Sequence, residues 1–433
     1  MEKPVTSLRA ISTLALLSLA YFLALVDRNV LTVLIEPIKR DLAVTDTQFG
    51  LLQGLAFAVF YIAFALPLAT LADRWNRKSV MVGGLAVWSL CTCFAGFARS
   101  FGGLFAARIG VGAGEGCLAP AAYSMFADLF DKRVLGRVIG VFHTVGGLGI
   151  GGAAILGGVL FQRFETSGHG ALAGLGLPSW GLTLVAIGAP GVLLAAIILL
   201  FVREPLRNAR AKAAEGSDAR TSVFTVLMER KGLLLRLLIG AAFLAIAATA
   251  MLTWAPSYLI RVFDLNPKQA GLRMGSATTV SALIGPLIGG VLSDVLYKRH
   301  GERGAFIALA GLSVVLVVGY GLMPFAPDAN GVTALIAVVG AAYMAALSVL
   351  ATTLQLHASP ALRARVSAVW LSLNTLVGLG LGAFLVGLVT DNVFGEPTAV
   401  GSSIGLVAAI ASAAGGALIS SLLFRYPMAR AIA

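Results

Sequence analysis

The 433-residue chain is 58% hydrophobic and only 12% charged, with a mean hydropathy of +0.91. A soluble domain carries about 25% charged residues because its surface must meet water. That shortfall excludes a soluble catalytic domain and points to a polytopic helical membrane protein. The formal charge of +12 is no nucleic-acid footprint, because Lys and Arg at the ends of spanning helices set orientation instead.

Apolar runs near the length that crosses a hydrocarbon core of about 30 Å predict spans over 11–34, 47–70, 79–99, 102–127, 135–161, 179–202, 233–260, 268–293, 304–324, 332–357, 365–389 and 402–424. The first run is interrupted by Asp27 and Arg28 and followed by no small-residue cleavage site, so it reads as an uncleaved span rather than a signal peptide. Twelve crossings put both termini on one side. Of the 32 Lys and Arg, only Lys39, Arg40, Arg99, Arg163, Arg261, Lys268 and Arg273 fall in loops on the opposite side, and Arg28 and Arg108 lie within spans. The bias places both termini in the cytoplasm, most simply across a bacterial inner membrane. Cys91, Cys93 and Cys117 lie inside spans and read as small buried thiols, with neither a disulfide framework nor a metal site.

The longest polar connection, 203–232, divides an N-terminal half (1–202) from a C-terminal half (233–433). The halves echo each other. Ala69 precedes Asp73 by four residues and Arg77-Lys78 follow it, as Gly290, Asp294 and Lys298-Arg299 do later in the chain. Gly136-Arg137-Val138 likewise matches Ala364-Arg365-Val366. The pattern predicts an all-α membrane protein of twelve transmembrane helices in two pseudo-symmetric six-helix bundles, with a site between them near mid-membrane.

Twelve spans, a long middle loop and the acid-plus-basic-pair motif after spans 2 and 8 resemble the major facilitator superfamily. Ala69 and Asn76 depart from the family motif, where glycines are usual. A finer resemblance, to the Spinster-like lipid transporters, rests on Asp27-Arg28, Glu36-Pro37, Asp41-Leu42, Gln48-Phe49-Gly50-Leu51-Leu52, Ala56-Phe57-Ala58, Tyr61, Arg108, Gly112, Gly114, Glu115, Pro120 and Arg203-Glu204-Pro205. It implies an amphipathic anionic substrate such as a lysophospholipid or a sphingosine-phosphate-like lipid. Organic-anion symporters share an Asp-Arg pair in span 1, which leaves small organic anions such as sugar acids as the alternative. A membrane sensor without transport is a further alternative that the paired motifs argue against.

Only Asp27 and Glu115, of 20 acidic residues, fall deep within spans. A charged side chain at a helix centre costs roughly 2.5–3.5 kcal/mol on insertion scales, so such groups line hydrated cavities and pair with one another. Arg108 and Glu115 are two helical turns apart on one face of span 4, and helix rise puts Asp27, Arg28 and Arg108 at similar depth. The expected pairs are Asp27 with Arg108 or Arg28, and Arg28 with Glu115. Burial favours the neutral carboxyl and an arginine favours the charged one, so such an acid can exchange a proton when its partner moves. An anionic headgroup competing for Arg28 or Arg108, which suit phosphate or carboxylate, would supply that movement. Asp27 and Glu115 are thus read as proton-coupling residues, with His143 in span 5 a candidate relay.

The second half has no comparable acid. Its cavity candidates are Thr253, Trp254 and Tyr258 in span 7, Tyr343 and Gln355 in span 10, and Asn374 in span 11. Asp73, Arg74, Arg77, Lys78, Asp294, Lys298 and Arg299, with Arg137 and Arg365 as cross-interface partners, are expected to form a cytoplasmic gate, since acids at helix C-termini need compensating cations. The alternating Gly110, Gly112, Gly114 and Gly116 serve either bending or close packing, and Pro256 and Pro286 are candidate kinks. The amphipathic Arg207–Arg236 reads as a solvated linker, with a place on the membrane surface as the alternative. No Walker-type loop, metal-ligand spacing or nucleophile–His–acid set occurs. The expectation is a proton-coupled secondary transporter working by alternating access, a monomer in the lipid bilayer. It needs no cofactor, no metal and no nucleic acid, and it is not an enzyme.

Overall fold

The computed structural model describes residues 8–166, 176–205, 232–357 and 363–424, and helix without any strand runs through them. The side chains of Asp73, Gln355 and Arg365, and residues 206–231 of the middle loop, lie outside the described residues; the end of the expected linker Arg207–Arg236 is corrected, because Leu233–Arg236 already belong to the helix Leu233–Phe263.

Eleven helices among the described residues are long and apolar enough to cross a membrane. Span 4 is not among them because it is two helices, Phe101–Glu115 and Leu118–Leu129. The break at Gly116–Cys117 falls directly after Glu115, where a glycine and an intramembrane charge coincide. Ser100 starts the first of these helices as an N-cap, its Oγ accepting from the Gly103 amide at 3.3 Å. The glycines of span 4 prove to be packing positions. A Cβ on Gly114 would meet the Gly84 carbonyl at 2.7 Å and the Trp88 amide at 2.8 Å, and one on Gly112 would meet the Phe57 carbonyl at 2.9 Å. Spans 2 and 3 therefore lie against the backbone of span 4.

Contacts divide the chain into two compact units, and the division is not a single cut in the middle loop. One unit comprises Met1–Thr45, Ala56–Ala211 and Leu265–Gly275; the other comprises Asp46–Leu55, Lys212–Asp264 and Ser276–Ala433. The start of span 2 thus clusters with the second unit and the start of span 8 with the first. In the first unit, span 1 (Leu8–Asn29) packs on span 5 (Lys132–Thr166), and span 3 (Arg77–Ala95) packs on span 6 (Ser179–Phe201) and span 4. In the second, span 7 (Leu233–Phe263) packs on span 12 (Val400–Ser420), which also meets span 9 (Arg303–Gly321).

Pro256 and Pro286 both lie inside continuous helices, Leu233–Phe263 and Pro267–His300. Regular winding is interrupted elsewhere, by π-helical turns at Leu52–Ala56 in span 2 and Asn374–Leu379 in span 11. Single π-turns inside α-helices concentrate at functional positions because they redirect side chains and free a carbonyl.

Candidate functional site

The charged residues of spans 1 and 4 come together in the first unit. Arg28 donates to Glu115 Oε2 through Nε at 3.1 Å and through Nη2 at 2.5 Å. The Glu115 side chain is 1% exposed and that of Arg28 20%, so the arginine is the less enclosed member of the pair. Glu115 ends its helix, where the unpaired carbonyls repel an acid, and the guanidinium offsets that field. The same guanidinium carbon stands 4.6 Å from the Phe57 ring centre and 5.2 Å from that of Tyr61. Arg108 stands 5.2 Å from the Phe57 ring, and its Nη2 approaches the Arg28 carbonyl at 3.4 Å. Two arginines are thereby held over one aromatic residue by the attraction of cations for the ring face.

One of the two expected ion pairs therefore forms. The other does not. Asp27 is 2% exposed and lies beside Thr92 and Trp88 on span 3, within the fields of Glu115 and Arg108 but joined to neither arginine by an ion pair. The physical reason is direction: consecutive residues on a helix point about 100° apart. With Arg28 turned to Glu115, its neighbour Asp27 faces span 3 instead. Asp27 Oδ1 and Glu115 Oε1 are both buried without a hydrogen-bond partner in the protein. That is an uncommon condition for carboxylate oxygens.

His143 is exposed and its Nε2 lies 2.7 Å from the Tyr123 hydroxyl of span 4. Tyr21 of span 1 meets the imidazole edge-on at 5.8 Å.

The expected wall of the second half is only partly present. Trp254 is fully buried and its indole nitrogen donates to the Ala383 carbonyl at 2.8 Å; Tyr258, 3% exposed, donates to the Met323 carbonyl at 2.9 Å. Both were expected on a cavity wall; in the structure both are buried, with their polar tips bonded to backbone carbonyls of neighbouring helices. Thr253 is buried too. Tyr343 and Asn374 lie near one another, and Asn374, whose Oδ1 is buried without a hydrogen-bond partner, opens the π-helical turn of span 11. Gln355 lies outside what is described.

Of the expected gate residues, Arg74, Arg137, Asp294, Lys298 and Arg299 are exposed. Arg77 is different. It is 2% exposed and donates to Glu204 Oε1 at 2.7 Å, Asp128 Oδ2 at 2.6 Å, Ser124 Oγ at 2.8 Å and the Pro205 carbonyl at 3.1 Å. It ties the ends of spans 3, 4 and 6 within the first unit. The Lys78 amide adds a bond to Glu204 Oε2 at 2.9 Å. Asn76, where the family motif has glycine, is the N-cap of span 3 and accepts from the Ser79 amide at 2.9 Å.

Sequence reasoning missed a second charged node. Asp46, fully buried, is held bidentately by Arg261, with Nη1 to Oδ2 and Nη2 to Oδ1 both at 2.7 Å. Arg261 stands 5.7 Å from the Trp254 ring and also donates to the Pro397 carbonyl at 3.1 Å. Beside it, the amide and hydroxyl of Thr47 both donate to Asp391 Oδ2 at 2.7 Å. Asp46 and Arg261 sit at opposite helix ends, each favourable for its charge, and so read as loop residues. The available signal was that Arg261 is one of few bases on the sparsely basic side.

An all-α membrane protein with a charged, partly unsatisfied cluster buried among its helices has the construction of a membrane transporter. A model of the Major Facilitator Superfamily matches residues 17–383, and the chain belongs to that superfamily: it is a multi-pass membrane transporter and not an enzyme. It is similar to an "MFS-type efflux pump" of Mycolicibacterium smegmatis, 29% identical over 387 residues that span 89% of this chain and 85% of that one. A "probable sulfoacetate transporter" of Cupriavidus necator is 29% identical over 316 residues, 69% of each chain. Among solved structures, a bacterial homolog of the human lysosomal transporter Spinster, in an inward-facing and unoccupied conformation, superposes with a TM-score of 0.76 at 25% identity over 96% of both chains. The resemblance to the Spinster-like branch holds.

Proposed function

We propose that the chain is a proton-coupled secondary transporter that works by alternating access and moves an amphipathic anion, with a lysophospholipid or sphingosine-phosphate-like lipid as the substrate class. The observation that carries this reading is the half-used carboxylate: Arg28 engages Glu115 through Oε2 alone, leaving Oε1 buried and unpartnered. An anionic headgroup reaching the partly exposed Arg28 competes for the guanidinium, and Glu115, released, carries a proton across with the substrate. Asp27, buried and joined to no arginine, is the second proton carrier. Arg108 steadies the headgroup from the same aromatic face. Both termini face the cytoplasm, and the exposed charges after spans 2 and 8 pair when the cytoplasmic gate shuts.

An amphipathic solute is favoured over a fully polar one by what surrounds the arginines. Phe57 and Tyr61 flank Arg28, and Phe57 also lies under Arg108, an aromatic setting that suits an apolar chain beside an anionic head. A second reading, a symporter of small organic anions, is favoured by the similarity to the sulfoacetate transporter, since Arg28 suits a sulfonate or carboxylate equally. Purified protein in liposomes, with internal pH followed while lysophosphatidylglycerol, then sulfoacetate or glucuronate, is added, separates the two. A pH response to the lysolipid supports the first reading, a response to the small anions alone supports the second, and a response to none removes proton coupling.

A further inference from the structure

Within the first unit, the start of span 8 covers one face of span 5. A Cβ on Gly158 would meet the Pro267 carbonyl at 2.5 Å, and one on Gly275 would meet the Gly151 carbonyl at 2.6 Å. Nearer the start of span 5 the same face is open. Gly147 and Gly140 lie one and three turns before Gly151, and a Cβ at either would meet nothing within 4 Å. His143 stands between them at the edge of this open face and is exposed, whereas its neighbour Phe142 is fully buried. An ionisable residue within a span turns to the protein interior or to water, not to lipid, so the open face is the wall of a hydrated cavity. Tyr123 of span 4 bonds His143 Nε2 at 2.7 Å, and Tyr21 of span 1 meets the imidazole edge-on at 5.8 Å. Gly146 makes room for Tyr21, since a Cβ there would collide with its ring. Arg28 follows Tyr21 by seven residues on the same face of span 1, roughly 10 Å of helix. Packing alone would be served by phenylalanine at 123 and 143, as it is at Phe142.

We propose that His143, positioned by Tyr123, is a second subsite of the transport site and binds a hydroxyl group that the substrate carries about two helical turns from its anionic head. The bond to Tyr123 uses Nε2 and leaves Nδ1 for a ligand. Nδ1 donates when Tyr123 gives its proton to Nε2, and accepts when Nε2 carries the proton itself. A hydroxyl is donor and acceptor at once, so it serves either tautomer. The subsite rests on the amphipathic-anion reading above and narrows it: the head lies at Arg28, the chain runs past Tyr21, and the substrate is hydroxylated along that chain.

Calorimetric titration of the protein in lipid nanodiscs with decanoate and with ω-hydroxydecanoate tests the subsite. The hydroxy acid should bind the parent about three- to tenfold more tightly than decanoate, the worth of one hydrogen bond. γ-Hydroxybutyrate, too short to reach from Arg28, should gain nothing over butyrate. In His143→Phe and in Tyr123→Phe the advantage should shrink to less than about twofold, while decanoate binds as it does to the parent. Decanoate is the control for folding, and a variant that no longer binds it leaves the other to decide. Equal affinity of the two long acids for the parent, or an advantage kept in both variants, overturns the subsite and leaves the anion site standing. Loss of decanoate binding in both variants also overturns it, because the pair then supports the fold rather than the chain. A parent protein that binds neither long acid overturns the amphipathic-anion reading and the subsite with it.

Discussion

Arg28 and Asp46's partner Arg261 grip their carboxylates in different ways. Arg261 gives one nitrogen to each oxygen of Asp46, both at 2.7 Å, whereas Arg28 gives two nitrogens to Oε2 of Glu115 and none to Oε1. The first is a saturated, fork-on-fork pair of the kind that fixes geometry. The second keeps an acceptor in reserve on a residue whose arginine remains partly exposed.

The saturated pair makes a stability prediction. Removing one member of a buried ion pair strands the other, at a cost of about 3–5 kcal/mol. Asp46→Ala and Arg261→Ala should each lower the melting temperature of the detergent-solubilised protein markedly, and the double variant should be less damaged than the sum of the two. Strict additivity in this cycle would show the pair to be energetically idle.

Two basic residues of the same motif should behave oppositely. Arg77 is buried against Glu204 and Asp128 and Arg74 is exposed. Arg77→Ala should destabilise the protein by about 3 kcal/mol or more. Arg74→Ala should leave thermal stability within about 0.5 kcal/mol of the parent and alter transport rate only. Equal thermal shifts in the two variants would contradict the assignment of Arg77 to anchoring.

Trp254 and Tyr343 make a similar contrast. Trp254→Phe removes the bond to the Ala383 carbonyl and should cost about 0.5–1.5 kcal/mol with an unchanged KM. Tyr343→Phe and Asn374→Ala remove two neighbouring polar groups of the second half and should change KM by more than they change melting temperature. The reverse assignment of effects in a transport assay would return Trp254 to the substrate wall.

Much of the fold was legible because hydropathy and helix length are local properties. Eleven of the twelve expected spans are single helices of membrane-crossing length, and the Arg28–Glu115 pair follows from two charges that have nowhere else to go. What the sequence hid depends on side-chain direction and on long-range packing. Asp27 and Arg28 look like one feature in the chain, yet helix geometry turns them to different neighbours. Trp254 and Tyr258 look like cavity aromatics until their tips are found bonded to the carbonyls of Ala383 and Met323. Asp46 and Arg261, 215 residues apart, carry no local sign of their pairing, because each is an ordinary helix-end charge. The grouping of Asp46–Leu55 with the second unit is likewise a matter of packing that no pattern within span 2 foretells.

The most direct test of the central claim is internal pH in liposomes holding the parent protein, Asp27→Asn or Glu115→Gln, recorded as the transported anion is added and paired with counterflow of the same labelled anion. The account predicts a substrate-driven pH change in the parent that is lost in both variants, with counterflow persisting in at least one of them. A pH change of undiminished size in both variants would contradict it.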